Sequence, residues 1–133
     1  MLDVDDFDPN HWEAIELLTK GKNVEAEEKL REILEKEPAN VSVMCDMGFA
    51  LERQGRLADA EDAYRTATEL SATYQHAWYN LAGVLVYQKK FHEAIVAFER
   101  AVELLPGYPF SWEGLAYSLW KDGRFQRLLM RLV

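Results

Sequence analysis

Residues 78–106 read WYNLAGVLVYQKKFHEAIVAFERAVELLP, and their spacing decides the fold. Trp78, Leu81, Ala82 and Leu85 fall at i, i+3, i+4 and i+7, one apolar stripe of a helix. A second helical pattern then begins near Phe91 with Ala94, Phe98 and Ala101 on one face, and Pro106-Gly107 ends it. Two short amphipathic helices on either side of a tight turn predict a helical hairpin. Ala94 closes a series with Ala26 and Ala60 that recurs every 34 residues, each alanine followed four places on by Leu30, Tyr64 or Phe98. Leu17, Leu51, Leu85 and Leu119 keep the same step, as do Ala14, Gly48, Ala82 and Ala116. So do Gly21, Gly55 and Gly123, a series broken at Lys89. Agreement across several series is the mark of stacked repeats, each too small to bury its own apolar face.

The hairpins predicted from these signals run over 9–20 and 23–36, 41–54 and 57–70, 75–88 and 91–104, and 109–122 with a last helix from Phe125 to the end. Asp8 is the expected cap of the first helix and Pro9 its first residue. Gly21 stands where a turn needs positive φ, and Pro38 stops the second helix. Small residues at Gly48, Ala82 and Ala116 are expected to let the paired helix approach closely, opposite Ala60 and Ala94. A chain of 133 residues, 49% hydrophobic and 12% aromatic, fits one such array as a single domain over 1–133. Its parts are an acidic leader at 1–8, repeats near 9–40, 41–74 and 75–108, and a partial repeat at 109–133. The 23 acidic against 15 basic residues give a formal charge of −8, which disfavours nucleic acid as a partner. The start lacks the basic and apolar regions of a signal peptide, no apolar run is long enough to span a bilayer, and Cys45 is a single cysteine. A cytoplasmic location is the expectation.

Trp78-x2-Leu81-Ala82-x2-Leu85, Ala94-x3-Phe98, Ala101 and Pro106 resemble the tetratricopeptide repeat pattern, W-x2-L-G-x2-Y, A-x3-F and P. Met44, Met47-Gly48, Leu51, Ala60, Tyr64 and Ala67 repeat it upstream, and Trp112, Leu115-Ala116 and Leu119 begin it again. The pattern departs at both ends, with Asn10 and Glu13 in place of large apolar residues and Leu128 in place of alanine. The resemblance implies an all-α right-handed superhelix of antiparallel helix pairs, about eight helices, whose first helices line a concave groove for peptides or helices of partners.

On the first helices, a second face beside the core stripe is unusually apolar. It carries Cys45, Phe49, Glu52 and Arg53 in the second repeat, and His76, Tyr79, Gly83, Val86 and Tyr87 in the third. Phe110, Glu113, Tyr117, Trp120 and Lys121 occupy it in the fourth. Aromatic side chains on a rigid scaffold are what binding hot spots are made of. This face is therefore the expected grip on an apolar or aromatic segment of another protein; the competing reading is cover by the curl of the array or by a neighbouring molecule. Asn80 matches a position where peptide-clamping members of the family place an asparagine on the ligand backbone, and a hydrogen bond within the hairpin is its alternative role. The cationic residues of the clamp that holds chaperone tails are missing: His11, Ile15, Asp46, His76 and Asn80 stand at the corresponding places. Arg53 and Lys121 remain as contacts for an acidic partner residue.

No phosphate loop, nucleophile elbow or calcium loop is present, and His11, His76 and His92 lie on different helices without an i, i+4 partner for a metal. Glu25 to Glu37 alternates with Lys29, Arg31 and Lys36 at helical spacing, as a salt-bridged outer face does. The chain is read as non-enzymatic, with neither cofactor nor metal, and as an adaptor or scaffold module for protein binding. The alternative is a self-assembly unit pairing through its groove or through the basic, amphipathic run Arg124 to Val133.

Overall fold

The computed structural model describes residues 8–124 and residue 130. It contains, among the described residues, seven α-helices: α1 (Pro9–Thr19), α2 (Asn23–Lys36), α3 (Val41–Arg53), α4 (Leu57–Leu70), α5 (Gln75–Tyr87), α6 (Phe91–Leu104) and α7 (Pro109–Lys121). The helix expected from Phe125 and the acidic leader up to Phe7 lie outside the described residues. Two compact units divide the chain at Leu70 and Ser71. In the first, α1 packs on α2, α2 on α3 and α3 on α4, with a lighter contact of α1 on α3; in the second, α5 packs on α6, α6 on α7 and α5 on α7.

Local chemistry explains the boundaries. Asp8 caps α1 by accepting a hydrogen bond from the Asn10 amide at 2.9 Å, with Pro9 in the first turn, and Asn40 caps α3 by accepting from the Val43 amide at 3.1 Å. The turns inside the hairpins share one closure. Lys22, Arg56 and Lys90 donate their amides back to the carbonyls of Leu17, Leu51 and Leu85 at 2.9, 3.0 and 2.8 Å. That closure needs a left-handed residue just before the donor, and Gly21, Gly55 and Lys89 adopt φ of 78°, 76° and 61°. The break in the glycine series at Lys89 is a change of residue without a change of backbone.

The small-to-large pairing holds in each unit. Ala26 and Leu30, Ala60 and Tyr64, and Ala94 and Phe98 are all buried. Gly48 lies directly against the Tyr64 ring, where a Cβ would stand 2.5 Å from Cε1. Phe98 meets α7 at Gly114, one turn before Ser118. Here the expected core stripe is corrected. In α7 the buried positions are Ser111 and Ser118, whereas Trp112 is 49% exposed, because α7 turns its Ser111-Gly114-Ser118 face to its neighbours. Trp112 and the half-buried Trp78 clip turns instead, their indole N–H groups donating to the carbonyls of Pro106 and Ala72 at 2.7 and 2.9 Å.

Candidate functional site

In the first unit, α3 places Phe49, Glu52 and Arg53 toward the surface, with the Arg53 guanidinium 5.4 Å from the centre of the Phe49 ring. Cys45 lies beneath them, 6% exposed. Burial, aided by the Asp46 charge, pushes its thiol up to about 12, and burial likewise raises the Glu52 carboxyl. Cys45 is thus a protonated packing residue under this face. His11 Nε2 and Asp46 Oδ2 stand 2.6 Å apart, tying α1 to α3. Burial raises the Asp46 carboxyl, and its hydrogen bond with His11 works against that rise.

The second unit holds a groove of about 690 Å³ between α5, α7 and the start of α6. Tyr79, Val86, Tyr87, Phe110 and Tyr117, all expected on the binding face, line it. Gly83, Glu113 and Lys121, from the same faces, complete the α5 and α7 walls with Gly114, while Phe91, Phe98 and Lys89 complete the α6 side. Tyr87 is 70% exposed and Phe110 53%. Trp120 stands outside the groove lining but stacks with Tyr117, ring centres 6.1 Å apart.

Two ladders of edge-to-face and tilted rings fix these side chains. Tyr108 links Phe110 and Tyr79 at 5.4 and 5.3 Å, and Tyr79 reaches Phe98 at 6.1 Å. On the other side, Phe91 meets Tyr117 at 6.2 Å. Such pairs are worth about 0.5–1.5 kcal/mol each beyond their buried area, so the groove is held open by rings locked on one another. Burial, with the neighbouring Tyr108, Glu113 and Tyr87, raises the Tyr79 phenol, which stays a hydrogen-bond donor at neutral pH. Asn80 is half-buried beside this groove without lining it, and its amide makes no hydrogen bond to any described residue.

Phe91, Phe98 and Lys89 lie outside the face that the sequence predicts for the groove. The first helices alone define the expected face, and the repeat spacing gives Phe98 a core role. The available signals were an aromatic at the first position of α6, where α2 and α4 begin with Asn23 and Leu57, and the lysine that interrupts the glycine series. Among the described residues, no cluster of three or more His, Cys, Asp or Glu side chains could hold a metal ion, and no helix is long and apolar enough to cross a membrane.

Comparison with known proteins agrees with this architecture. The family profile described as "Tetratricopeptide repeat" matches residues 13–75, 45–109 and 79–127. No curated protein matches the chain. Among solved structures, the first TPR of Spaghetti (RPAP3) bound to the HSP90 peptide SRMEEVD is 22% identical with a TM-score of 0.79, over 82% of this chain and 86% of that one. The Sgt2 TPR domain from Aspergillus fumigatus is 19% identical with a TM-score of 0.83, over 89% and 80%. The second TPR domain of human RPAP3, in complex with the HSP70 peptide SGPTIEEVD, is 20% identical with a TM-score of 0.77, over 82% and 91%.

Proposed function

Because this chain belongs to the tetratricopeptide repeat family, we propose that it is a non-enzymatic, cytoplasmic protein-interaction module that seats an apolar or aromatic segment of a partner protein in the groove of its second unit. The observation that carries the proposal is the convergence of Tyr79, Tyr87, Phe110 and Tyr117 on one open groove, with Tyr87 and Phe110 more than half exposed. Solvent offers no reason to place such rings together, and an exposed apolar patch bounded by polar residues is the signature of a docking site. Tyr79 and Phe110 are braced by Tyr108, and Tyr117 by Phe91, so few additional torsions freeze on binding, which favours affinity. Two similar structures hold peptides of HSP90 and HSP70, which supports a peptide as the ligand class. The ligand chemistry proposed here differs, because His11 and Asp46, at two places of the chaperone-tail clamp, are engaged with each other. The Asn80 amide, without an internal partner among the described residues, is suited to hold a ligand peptide unit.

The test is selection of random dodecapeptides displayed on phage by the wild type and by a Tyr87→Ala, Tyr117→Ala variant, with thermal melts of both. Tyr87 is exposed and Tyr117 gives up its ring pairs with Phe91 and Trp120, so the variant should melt somewhat below the wild type while keeping a cooperative transition. The wild type should enrich sequences with a large apolar residue and the variant should not. Failure of the wild type to enrich any sequence, or equal enrichment by the variant, overturns the proposal.

A further inference from the structure

Lys89 and Lys121 stand at one end of the aromatic groove. They lie at the C-terminal ends of α5 and α7, which run the same way because α6 separates them. Neither lysine is in an ion pair with any described residue, although the chain has 23 acidic residues against 15 basic ones. Every described arginine except Arg53, by contrast, is paired. Lys121 Nζ lies 4.7 Å from the Trp120 ring centre and 5.8 Å from that of Tyr117, with no carboxylate to draw it away. Lys89 is the more telling of the two. It holds φ of 61° at a turn position that is Gly21, Gly55 or Gly123 in the other hairpins, a left-handed conformation that opposes any side chain with a Cβ. Backbone strain retained at a ligand-sized groove points to a role for the side chain it carries. Glu113, the acidic residue lining the groove, is eight positions before Lys121 on α7, about 12 Å along the axis, and its charge acts on Tyr79. The groove therefore has a cationic end and an anionic end.

We propose that the groove recognises a partner segment in which an acidic side chain lies close to the apolar anchor, the anchor entering between Tyr79 and Tyr117 and the carboxylate meeting Lys89 and Lys121. This rests on the docking reading above and adds a charge requirement to it. The same dodecapeptide library separates the two. The wild type should enrich Asp or Glu within a few positions of the apolar residue; Lys89→Ala, Lys121→Ala should keep the apolar preference and lose the acidic one; Lys89→Glu, Lys121→Glu should favour Lys or Arg. In the best synthetic peptide, Asp→Asn should weaken binding about tenfold, as expected for two partly screened lysine contacts. Apolar enrichment by the wild type without acidic residues overturns this inference and leaves the groove intact. Acidic enrichment that survives Lys89→Ala, Lys121→Ala overturns the assignment to these lysines. No enrichment at all overturns both readings.

Discussion

Gly48→Ala tests the packing of the second hairpin at its tightest point. The new Cβ would stand 2.5, 2.7 and 2.8 Å from three atoms of the Tyr64 ring. Ordinary carbon contacts are about 3.5–4.0 Å, so the ring must retreat by about 1 Å. Tyr64 is 1% exposed, and interiors packed to crystal density offer no such space. Overpacking costs about 1–3 kcal/mol, and a fully enclosed ring belongs near the upper end. Alanine recovers about 1 kcal/mol through its helix preference over glycine, leaving a net loss of about 2 kcal/mol. Gly83→Ala is the matched comparison, since Gly83 lies inside α5 with nothing within 4 Å of the added atom. It should gain up to about 1 kcal/mol from propensity alone. Urea unfolding followed by far-ultraviolet circular dichroism reads both, and the same substitution should change sign between the two sites. In a Tyr64→Leu background, Gly48→Ala should cost at least about 1 kcal/mol less, which isolates the ring as the cause. A Gly48→Ala protein as stable as the wild type, or an unchanged loss in the Tyr64→Leu background, would show that the Tyr64 ring does not limit the packing at Gly48.

Other positions give independent tests. Lys89→Gly relieves a left-handed residue at about 1–2 kcal/mol and gives back about 0.5–1 kcal/mol of unfolded-chain entropy. A net gain of about 0.5–1 kcal/mol in a denaturant titration is expected, together with weaker binding of acidic peptides; lower stability would contradict the strain assignment. Burial pushes the Glu27 carboxyl up, but hydrogen bonds from Gln54 and Arg31 and the charges of Arg31 and Arg56 outweigh it and hold the group below its usual value. Its stabilising contribution is thus complete above the ordinary carboxylate range and is lost as pH falls through the lowered value. The stability gap between wild type and Glu27→Gln should narrow on acidification from neutral pH to below about pH 4, and a gap that widens would reverse the sign of the shift. The Cys45 thiol, buried and pushed up to about 12, should react with a maleimide about a hundredfold more slowly in the native protein than in denaturant. Equal rates would place the thiol at the surface.

Much of the fold is legible because it is written locally. The 34-residue step, the turn prolines and the Asp8 cap act within a few residues of themselves, and the seven predicted helices that fall within the described residues agree with the observed ones to within a residue at each end. The tryptophans depart from the periodic pattern. Trp78 and Trp112 fall on the apolar stripe, yet each indole N–H finds a carbonyl six residues back and draws its ring toward the turn. A hydrogen-bonding end on a large apolar body is invisible to a pattern that counts only hydrophobicity.

Periodicity and turn chemistry are local properties, so the order of residues makes the chain a set of helical hairpins and marks which first-helix positions carry surplus aromatics. Tertiary structure alone decided which of those aromatics converge. Tyr79, Tyr87, Phe110 and Tyr117 come from helices separated by α6, and they bound one groove only because Phe98 rests on Gly114 and brings α7 close to α6. It also decided that Lys89, a mere interruption in a glycine series, keeps the glycine backbone and places its charge at the groove's end. Packing contacts between residues far apart in sequence carry that information, and no single helix contains it.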